Sequence, residues 1–322
     1  MEVLSLFSNC VPITQGDRRR GRPALAQEMG MSIDPFHEGE RRVQERVGEV
    51  QEADRNGPMI GSHIPAGAIP FLHQQSLLVL AVLNKGAMWC LPVVGNAGWM
   101  SATRDSIYLD LEQTIGPVDE RILSAAEGRQ LVGGVVLDFA TRRRLRVNGQ
   151  LERASDKLMV LTVAEAYPNC PKYITQRALA WEKDASAYSL LEGESLTQEQ
   201  RDAFGKTDIF FIATQHPERG LDASHRGGNP GFVESPSDRS IRFPDYAGNS
   251  LFNTLGNLEI DSRVGILLPD FGGGRALAIT GTAFVSYEDQ GRARWITVTV
   301  ERWIQMHLPV MEKARQLSPY NP

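Results

Sequence analysis

The chain alternates short apolar runs with turn residues. Residues 77–82 form a continuous apolar run of strand length, and residues 87–94 form a second after Asn84-Lys85-Gly86, which predicts a β-hairpin. Residues 98–102 and 106–111 predict another hairpin around Thr103-Arg104-Asp105. Residues 131–139, 145–152 and 157–164 predict three further strands, with Arg142, Arg143 and Arg144 at a turn. Helical spacing is confined to fewer places. Val43, Val47 and Val50 make one apolar stripe between Asp34-Pro35 and Gly57-Pro58. Residues 57–70 read as a Gly- and Pro-rich loop, and residues 118–129 as a modest helix. Ser195 with Gln198 has the capping-box spacing for a short helix over 198–204. Turn signals at this density predict a barrel or sandwich.

The order then repeats. Residues 208–213 match 77–82, and Gly231-Phe232-Val233 answers Gly98-Trp99-Met100. Ile241-Arg242-Phe243 answers Ile107-Tyr108-Leu109, and Asp270-Phe271 answers Asp138-Phe139. Ile279-Thr280-Gly281 answers Val147-Asn148-Gly149, and residues 299–303 answer 163–167, always at an offset of about 132. A fixed offset through ordered matches predicts two copies of one unit, packed about a pseudo-two-fold axis like the subunits of a symmetric dimer. Ligand sites favour such interfaces. The expected organisation is a tail over 1–35, a first barrel over 36–180, a connector over 181–206, a second barrel over 207–310 and a tail over 311–322. The chain is expected to be a pseudo-dimer in itself, with a further homodimer left open.

Composition narrows the class. Of 322 residues, 42% are hydrophobic and 23% charged, which suits a folded globular chain rather than a disordered one. A net charge of -5 offers no global attraction to nucleic acid. No apolar run approaches the roughly 20 residues of a membrane helix. Cys10, Cys90 and Cys170 stand far apart and the histidines are scattered, so no metal-ligand spacing exists and no metal is expected. Reduced thiols in a cytoplasmic protein are the expectation. The basic run Arg18-Arg19-Arg20-Gly21-Arg22 follows a short apolar start rather than preceding it, unlike a secretory signal, and reads as a solvated tail.

Candidate chemistry concentrates between Asp222 and Asn257. On a strand, Ser224 and Arg226 share a face while His225 points away. A hydroxyl beside a guanidinium suits a phosphate, although a surface ion pair would account for Arg226 alone. Gly227-Gly228-Asn229-Pro230-Gly231 either lets backbone approach a ligand or forms a wide turn. Phe243-Pro244-Asp245-Tyr246 closes a strand, with Asp245 as a ligand acceptor or as the cap of a bend. Gly248-Asn249-Ser250 predicts a helix start with Asn249 or Ser250 as N-cap, whose free N–H groups favour an anion. Asn249 and Asn253 then fall on one helix face as amides suited to a ribityl chain or ring edge, and Gly256-Asn257 reads as the C-cap. Trp99 and Met100 are either core or a wall of the site. No residue stands out as an acid, base or nucleophile, and no catalytic residue is assigned.

Two long motifs carry a resemblance. Ser-His-Arg-Gly-Gly-Asn-Pro-Gly-Phe-Val, starting at Ser224, and Phe-Pro-Asp-Tyr-Ala-Gly-Asn-Ser-Leu-Phe-Asn-Thr-Leu-Gly-Asn, starting at Phe243, resemble long members of the pyridoxamine 5′-phosphate oxidase-like proteins, the FMN-binding split β-barrel family. Phe36-His37-Glu38-Gly39-Glu40 and Asn169-Cys170-Pro171-Lys172-Tyr173-Ile174 add to the likeness, which spans about residues 36–305. It implies a mainly β, α+β architecture of two tandem split β-barrels with peripheral helices. It implies FMN as cofactor, with phosphate and ribityl contacts on Ser224, Arg226, Gly227, Asn249 and Asn253, and with Arg242, Phe243 and Asp245 beside the flavin ring. Where relatives often carry Ser-Arg-Lys this chain has Gly248-Asn249-Ser250, which puts more weight on Arg226. The first unit lacks the motif: Asp110-Leu111-Glu112-Gln113-Thr114 follows Leu109, and residues 91–95 are apolar where the second unit has 224–228. One working site per chain is expected. The implied function is an FMN-dependent oxidoreductase acting on a small organic substrate, with electrons from NAD(P)H or a separate reductase. A non-enzymatic flavin or haem carrier, and deazaflavin in place of FMN, are alternatives the same resemblance implies.

Overall fold

The computed structural model describes residues 34–168, 172–181, 190–308 and 310–318, with Trp181 and residues 310–318 as backbone alone. The basic run, Cys10 and Cys170 lie outside the described residues. Helix α1 (Glu38–Val47) starts where His37 accepts from the Gly39 and Glu40 amides and Glu40 caps the His37 amide in return. It ends at Gly48, whose φ of 75° breaks the expected single helix, and α2 (Val50–Asn56) follows. A short α3 (Ile69–His73) begins at the end of the stretch that reads as loop.

The first sheet comprises β1 (Leu77–Asn84), β2 (Ala87–Val94), β3 (Met100–Ala102), β4 (Ser106–Asp110), β5 (Leu131–Asp138), β6 (Arg143–Ser155) and β7 (Leu158–Pro168), with α4 (Glu120–Glu127) between β4 and β5. The β1–β2 hairpin turns on Lys85 and Gly86, both at positive φ, as the turn chemistry requires. Next come β8 (Gln176–Trp181), β9 (Leu190–Gly193) and α5 (Gln198–Lys206). The capping box of α5 is Thr197 with Gln200, two residues beyond the expected one, while the Ser195 carbonyl accepts from the Trp303 indole at 2.8 Å. The second sheet comprises β10 (Ile209–His216), β11 (Gly220–Gly227), β12 (Glu234–Ser237), β13 (Ser240–Pro244), β14 (Arg263–Asp270), β15 (Arg275–Glu288) and β16 (Ala293–His307), with α6 (Asn253–Leu258) between β13 and β14. Strand β17 (Val310–Ser318) pairs with β8.

Strand order in the first sheet is β2-β1-β5-β6-β7-β4-β3, and in the second β11-β10-β14-β15-β16-β13-β12, with β9 added beside β16. The two orders correspond strand for strand, and every neighbouring pair is antiparallel. This is the mainly β architecture of two tandem split barrels. The registers refine the correspondence. Val82 pairs with Trp89 as Thr214 pairs with Asp222, so Trp89, Leu91 and Val93 occupy the places of Asp222, Ser224 and Arg226. Leu137 pairs with Arg144 as Pro269 pairs with Ala276, so Ala276 and Ala278 occupy the places of Arg144 and Arg146.

The sheets meet through matching contacts. Gly133 on β5 lies against the Asp222 backbone, where a Cβ would fall 2.6 Å from Cα; Gly265 on β14 lies against Trp89 and Cys90, where a Cβ would fall 2.8 Å from the Cys90 nitrogen. Phe139 and Phe271 meet edge to face with centroids 5.0 Å apart. One hydrophobic cluster crosses both sheets, joining Leu78, Val135 and Val136 to Phe211, Leu267 and Ile304. A second fills the second barrel around Phe210, Phe243 and Ile266, where each fully buried large side chain contributes about 1.5–3 kcal/mol. Trp99 and Met100 are core residues, and Cys90 is a buried free thiol. No helix among the described residues is long and apolar enough to cross a membrane.

Candidate functional site

Strand β11 carries Ser224 and Arg226 to a cleft. The Ser224 hydroxyl lies 3.3 Å from that of Thr254, and Arg226 Nη2 lies 3.4 Å from Asp245 Oδ1. Asp245 Oδ2 accepts from Arg294 Nε at 2.9 Å, so this carboxylate is matched by two arginines. The opposite wall comes from the first half. Arg144 and Arg146, two apart on β6, both line the cleft, and so do Lys172 and Tyr173. Four cationic side chains, Arg144, Arg146, Lys172 and Arg226, thus meet one carboxylate, Asp245, among the described lining residues. Within a chain of net charge -5, this is a local field that favours an anion.

Arg146 is held on several sides. Its Nη1 donates to Asn253 Oδ1 at 3.1 Å, it pairs with Asp222, and its guanidinium lies 4.8 Å from the centre of the Tyr167 ring. Tyr167 in turn donates to Asp222 at 3.3 Å. Burial pulls the Arg146 pKa down, but the Asp222 carboxylate and its neighbours more than offset this and leave it raised. The Nε atoms of Arg146 and Arg226 are buried with no hydrogen-bond partner among the described residues. Orphaned buried donors on charged groups are costly, and an anion in the cleft would satisfy them. His225, expected to point away from Ser224 and Arg226, also lines the cleft, and its ring meets the Arg144 guanidinium there. Burial, then Arg144 and Arg226, push its pKa well below the ordinary value, so the ring is neutral. Tyr173 stacks on Tyr246 with centroids 5.3 Å apart, and its hydroxyl donates to the Ala247 carbonyl at 2.9 Å.

No family model matches the chain, and neither does any curated protein. Solved structures do. A candidate pyridoxamine 5′-phosphate oxidase from Lactobacillus delbrueckii is 17% identical, covering 35% of this chain and 97% of its own, with a TM-score of 0.29. An FAD-binding protein from Mesorhizobium loti is 8% identical, covering 37% and 97%, with a TM-score of 0.28. An F420 reductase is 11% identical, covering 32% and 94%, with a TM-score of 0.25. The chain is similar to pyridoxamine 5′-phosphate oxidase-like, FAD-binding and F420-reductase structures. Each spans about a third of this chain and nearly all of its own length.

Of the expected site residues, Ser224, Arg226, Gly227, Asp245, Asn249 and Asn253 line the cleft. Their roles shift. A Cβ on Gly227 would fall 1.9 Å from the Tyr173 carbonyl oxygen, so the glycine admits backbone of this chain rather than a ligand. Asn253 is held between Glu40 and Arg146. Arg242 and Phe243 are outside the lining. The Arg242 guanidinium lies 4.2 Å from the Trp295 ring centre, and Phe243 is fully buried against Phe210 with centroids 4.7 Å apart. The helix expected to open at Gly248-Asn249-Ser250 opens at Asn253 instead, so Asn249 and Asn253 share no helix face. Ser250 and Phe252 both take a φ of 60°, a strained state for non-glycine residues, and Gln44, Glu49 and Asn56 bond this loop from outside. Asn257 lies inside the helix rather than at its C-cap, which is Glu259, with contacts of 3.0 Å to both His37 and Thr214. Arg144, Arg146, Lys172 and Tyr173 are the additions. The alternate spacing of Arg144 and Arg146 was a strand signal obscured by reading Arg142 to Arg144 as a turn.

The places related by pseudo-symmetry are apolar: Trp89, Leu91, Val93, Ala276 and Ala278 stand where the cleft has Asp222, Ser224, Arg226, Arg144 and Arg146. Elsewhere, His37, Glu38 and His216 come together, but each imidazole Nδ1 accepts from backbone amides, which leaves Nε2 protonated and facing Asn257 in one ring and Glu38 in the other. The two imidazoles therefore anchor a helix start and a turn and offer no free lone pair to an ion.

Proposed function

We propose that the chain binds FMN in the cleft between its two halves and acts as an FMN-dependent oxidoreductase on a small organic substrate, with electrons from NAD(P)H or a separate reductase. One observation carries this reading: Arg144, Arg146, Lys172 and Arg226 converge, with two buried donors lacking partners, on a cleft walled by Tyr173 and Tyr246. Ser224, Arg226 and the two β6 arginines would hold the phosphate, because guanidinium forks match its oxygens. The tyrosine pair offers an aromatic face to a planar ring. When bound, the flavin supplies the hydride and electron chemistry, and the chain supplies binding and orientation. In this reading the barrels over 36–180 and 207–310 work as one pseudo-dimer with one flavin site.

The test is an absorption spectrum of the purified protein followed by FMN titration. Flavin bands are expected, and Arg226→Ala should weaken FMN by at least about tenfold, since a charge-assisted hydrogen bond is worth roughly 1.5–3 kcal/mol. A protein that stays colourless with added FMN, or shows a haem or deazaflavin spectrum, would overturn the proposal.

A further inference from the structure

Helices α1 and α2 have no part in that reading, yet they contact the site loop residue by residue. Asn56 Nδ2 donates to the Asn249 carbonyl at 2.9 Å, Ser250 Oγ donates to Glu49 at 2.6 Å, and Gln44 Nε2 donates to the Leu251 carbonyl at 3.3 Å. One turn on, Asn253 Nδ2 donates to Glu40 Oε1, His37 Nε2 donates to Asn257 Oδ1 at 3.0 Å, and Arg46 pairs with Glu259. The approach is close because α1 and α6 cross at glycines: a Cβ on Gly39 would fall 2.2 Å from the Gly256 carbonyl oxygen.

Glu40 is among the deepest of these contacts, only 3% exposed, and it does not line the cleft. Its Oε2 accepts from the His37 amide at 2.9 Å and its Oε1 from Asn253. The amide of Asn253 has a donor side and an acceptor side. Glu40 takes the donor, which turns the oxygen toward Arg146 Nη1. The reverse orientation would set N–H against the guanidinium and would need the carboxyl's own proton between the two oxygens. The carboxyl therefore fixes how Asn253 faces, and Asn253 fixes one end of Arg146 while Asp222 holds another. Without the Asn253 contact the guanidinium is held by Asp222 and Tyr167 alone, and its position at the cleft is no longer fixed from the α6 side.

We propose that Glu40 is a positioning residue of the anion site: acting through Asn253, it sets the Arg146 guanidinium that the first half contributes, so anion affinity depends on a group that never touches the anion. The proposal rests on the flavin reading only for the identity of the anion. The charged groups around Glu40 are Arg146, Glu165 and Arg219, together with His37.

The experiment titrates the full chain with FMN and with riboflavin, which lacks the phosphate, by flavin fluorescence. Glu40→Ala should weaken FMN about tenfold and leave riboflavin within about twofold. Glu40→Ala combined with Asn253→Ala should bind FMN no worse than Asn253→Ala alone, because both cut one relay. Glu40→Gln keeps the capping box and should show a smaller loss in the same direction, so the test stands if the alanine variant does not fold. Inorganic pyrophosphate, followed by thermal shift, separates the two claims. A wild-type chain that binds pyrophosphate but not FMN overturns the flavin reading, and the same variants are then scored on pyrophosphate. Equal losses for FMN and riboflavin, additive effects of the two substitutions, unchanged affinity in both Glu40 variants, or a wild type that binds neither anion overturns the role of Glu40.

Discussion

Raising the pH from 6.5 to 8 should destabilise this protein, and Glu40→Gln should remove the effect. Burial pushes the Glu40 carboxyl from 4.5 up to about 8, against the opposing hydrogen bonds from His37 and Asn253. Above pH 4.5 the unfolded chain releases a proton that the folded chain retains. The stabilising contribution is therefore complete below 4.5 and is lost as pH rises to about 8. At about 1.4 kcal/mol per pH unit, the interval from 6.5 to 8 removes roughly 2 kcal/mol. His37 acts in the opposite sense. Burial and His216 lower it from 6.5 to about 4, so its contribution is lost as pH falls through that range, and His225 is shifted the same way. Below 6.5 two histidines outweigh one carboxyl; above it Glu40 acts without them, and stability should peak near pH 6.5. Urea unfolding followed by tryptophan fluorescence between pH 5.5 and 8.5 reads the curve. The wild type should rise and then fall, whereas Glu40→Gln should rise and level off. Parallel curves for the two proteins above pH 6.5 would refute a neutral buried carboxyl at this position.

Two further outcomes follow from the paired halves. Gly133→Ala and Gly265→Ala each force a Cβ into the facing backbone, and each should cost about 1–3 kcal/mol in thermal or urea unfolding. The Gly133 substitution alone should also weaken FMN, because it presses on Asp222 and so on Arg146, whereas Gly265 faces Trp89; equal effects on FMN would contradict a single built site. Arg144→Ala should weaken FMN about tenfold and flatten the salt dependence of binding, as loss of one partly exposed cation requires. Unchanged affinity and salt response would remove Arg144 from the site.

The barrels were legible because hairpin punctuation and apolar runs are local signals, and the offset of about 132 made the second half a check on the first. Ser224 and Arg226 were legible for the same reason: two residues on one strand face need no tertiary information. Arg144 and Arg146 were not, because they reach the site from a strand some 80 residues earlier, on the other sheet. The loop before α6 misled through its composition. Gly248-Asn249-Ser250 carries helix-start chemistry, but Gln44, Glu49 and Asn56 bond the segment, whose Ser250 and Phe252 are left-handed, and the helix opens only at Asn253. Asn257 looked like a cap because it follows a glycine; its partners, His37 and Thr214, are remote in sequence. The polar face of α1 hid in the same way. His37, Glu40 and Gln44 have the spacing of a solvated stripe and are instead buried on α6 and its loop.

Both walls of the cleft belong to one polypeptide. In a dimer of identical subunits, β6 of one chain would meet β11 of another, each substitution would appear in both clefts, and the site would dissolve on dilution. Here the arginines of β6 and the alanines at the matching places on β15 have separate fates, so one interface carries charge where the matching places of its twin carry tryptophan and aliphatic groups. The facing surfaces are also held at a fixed high effective concentration by the intervening chain. Formation of the cleft is a unimolecular event, and its occupancy by ligand should be as complete at nanomolar protein as at micromolar for the same free ligand.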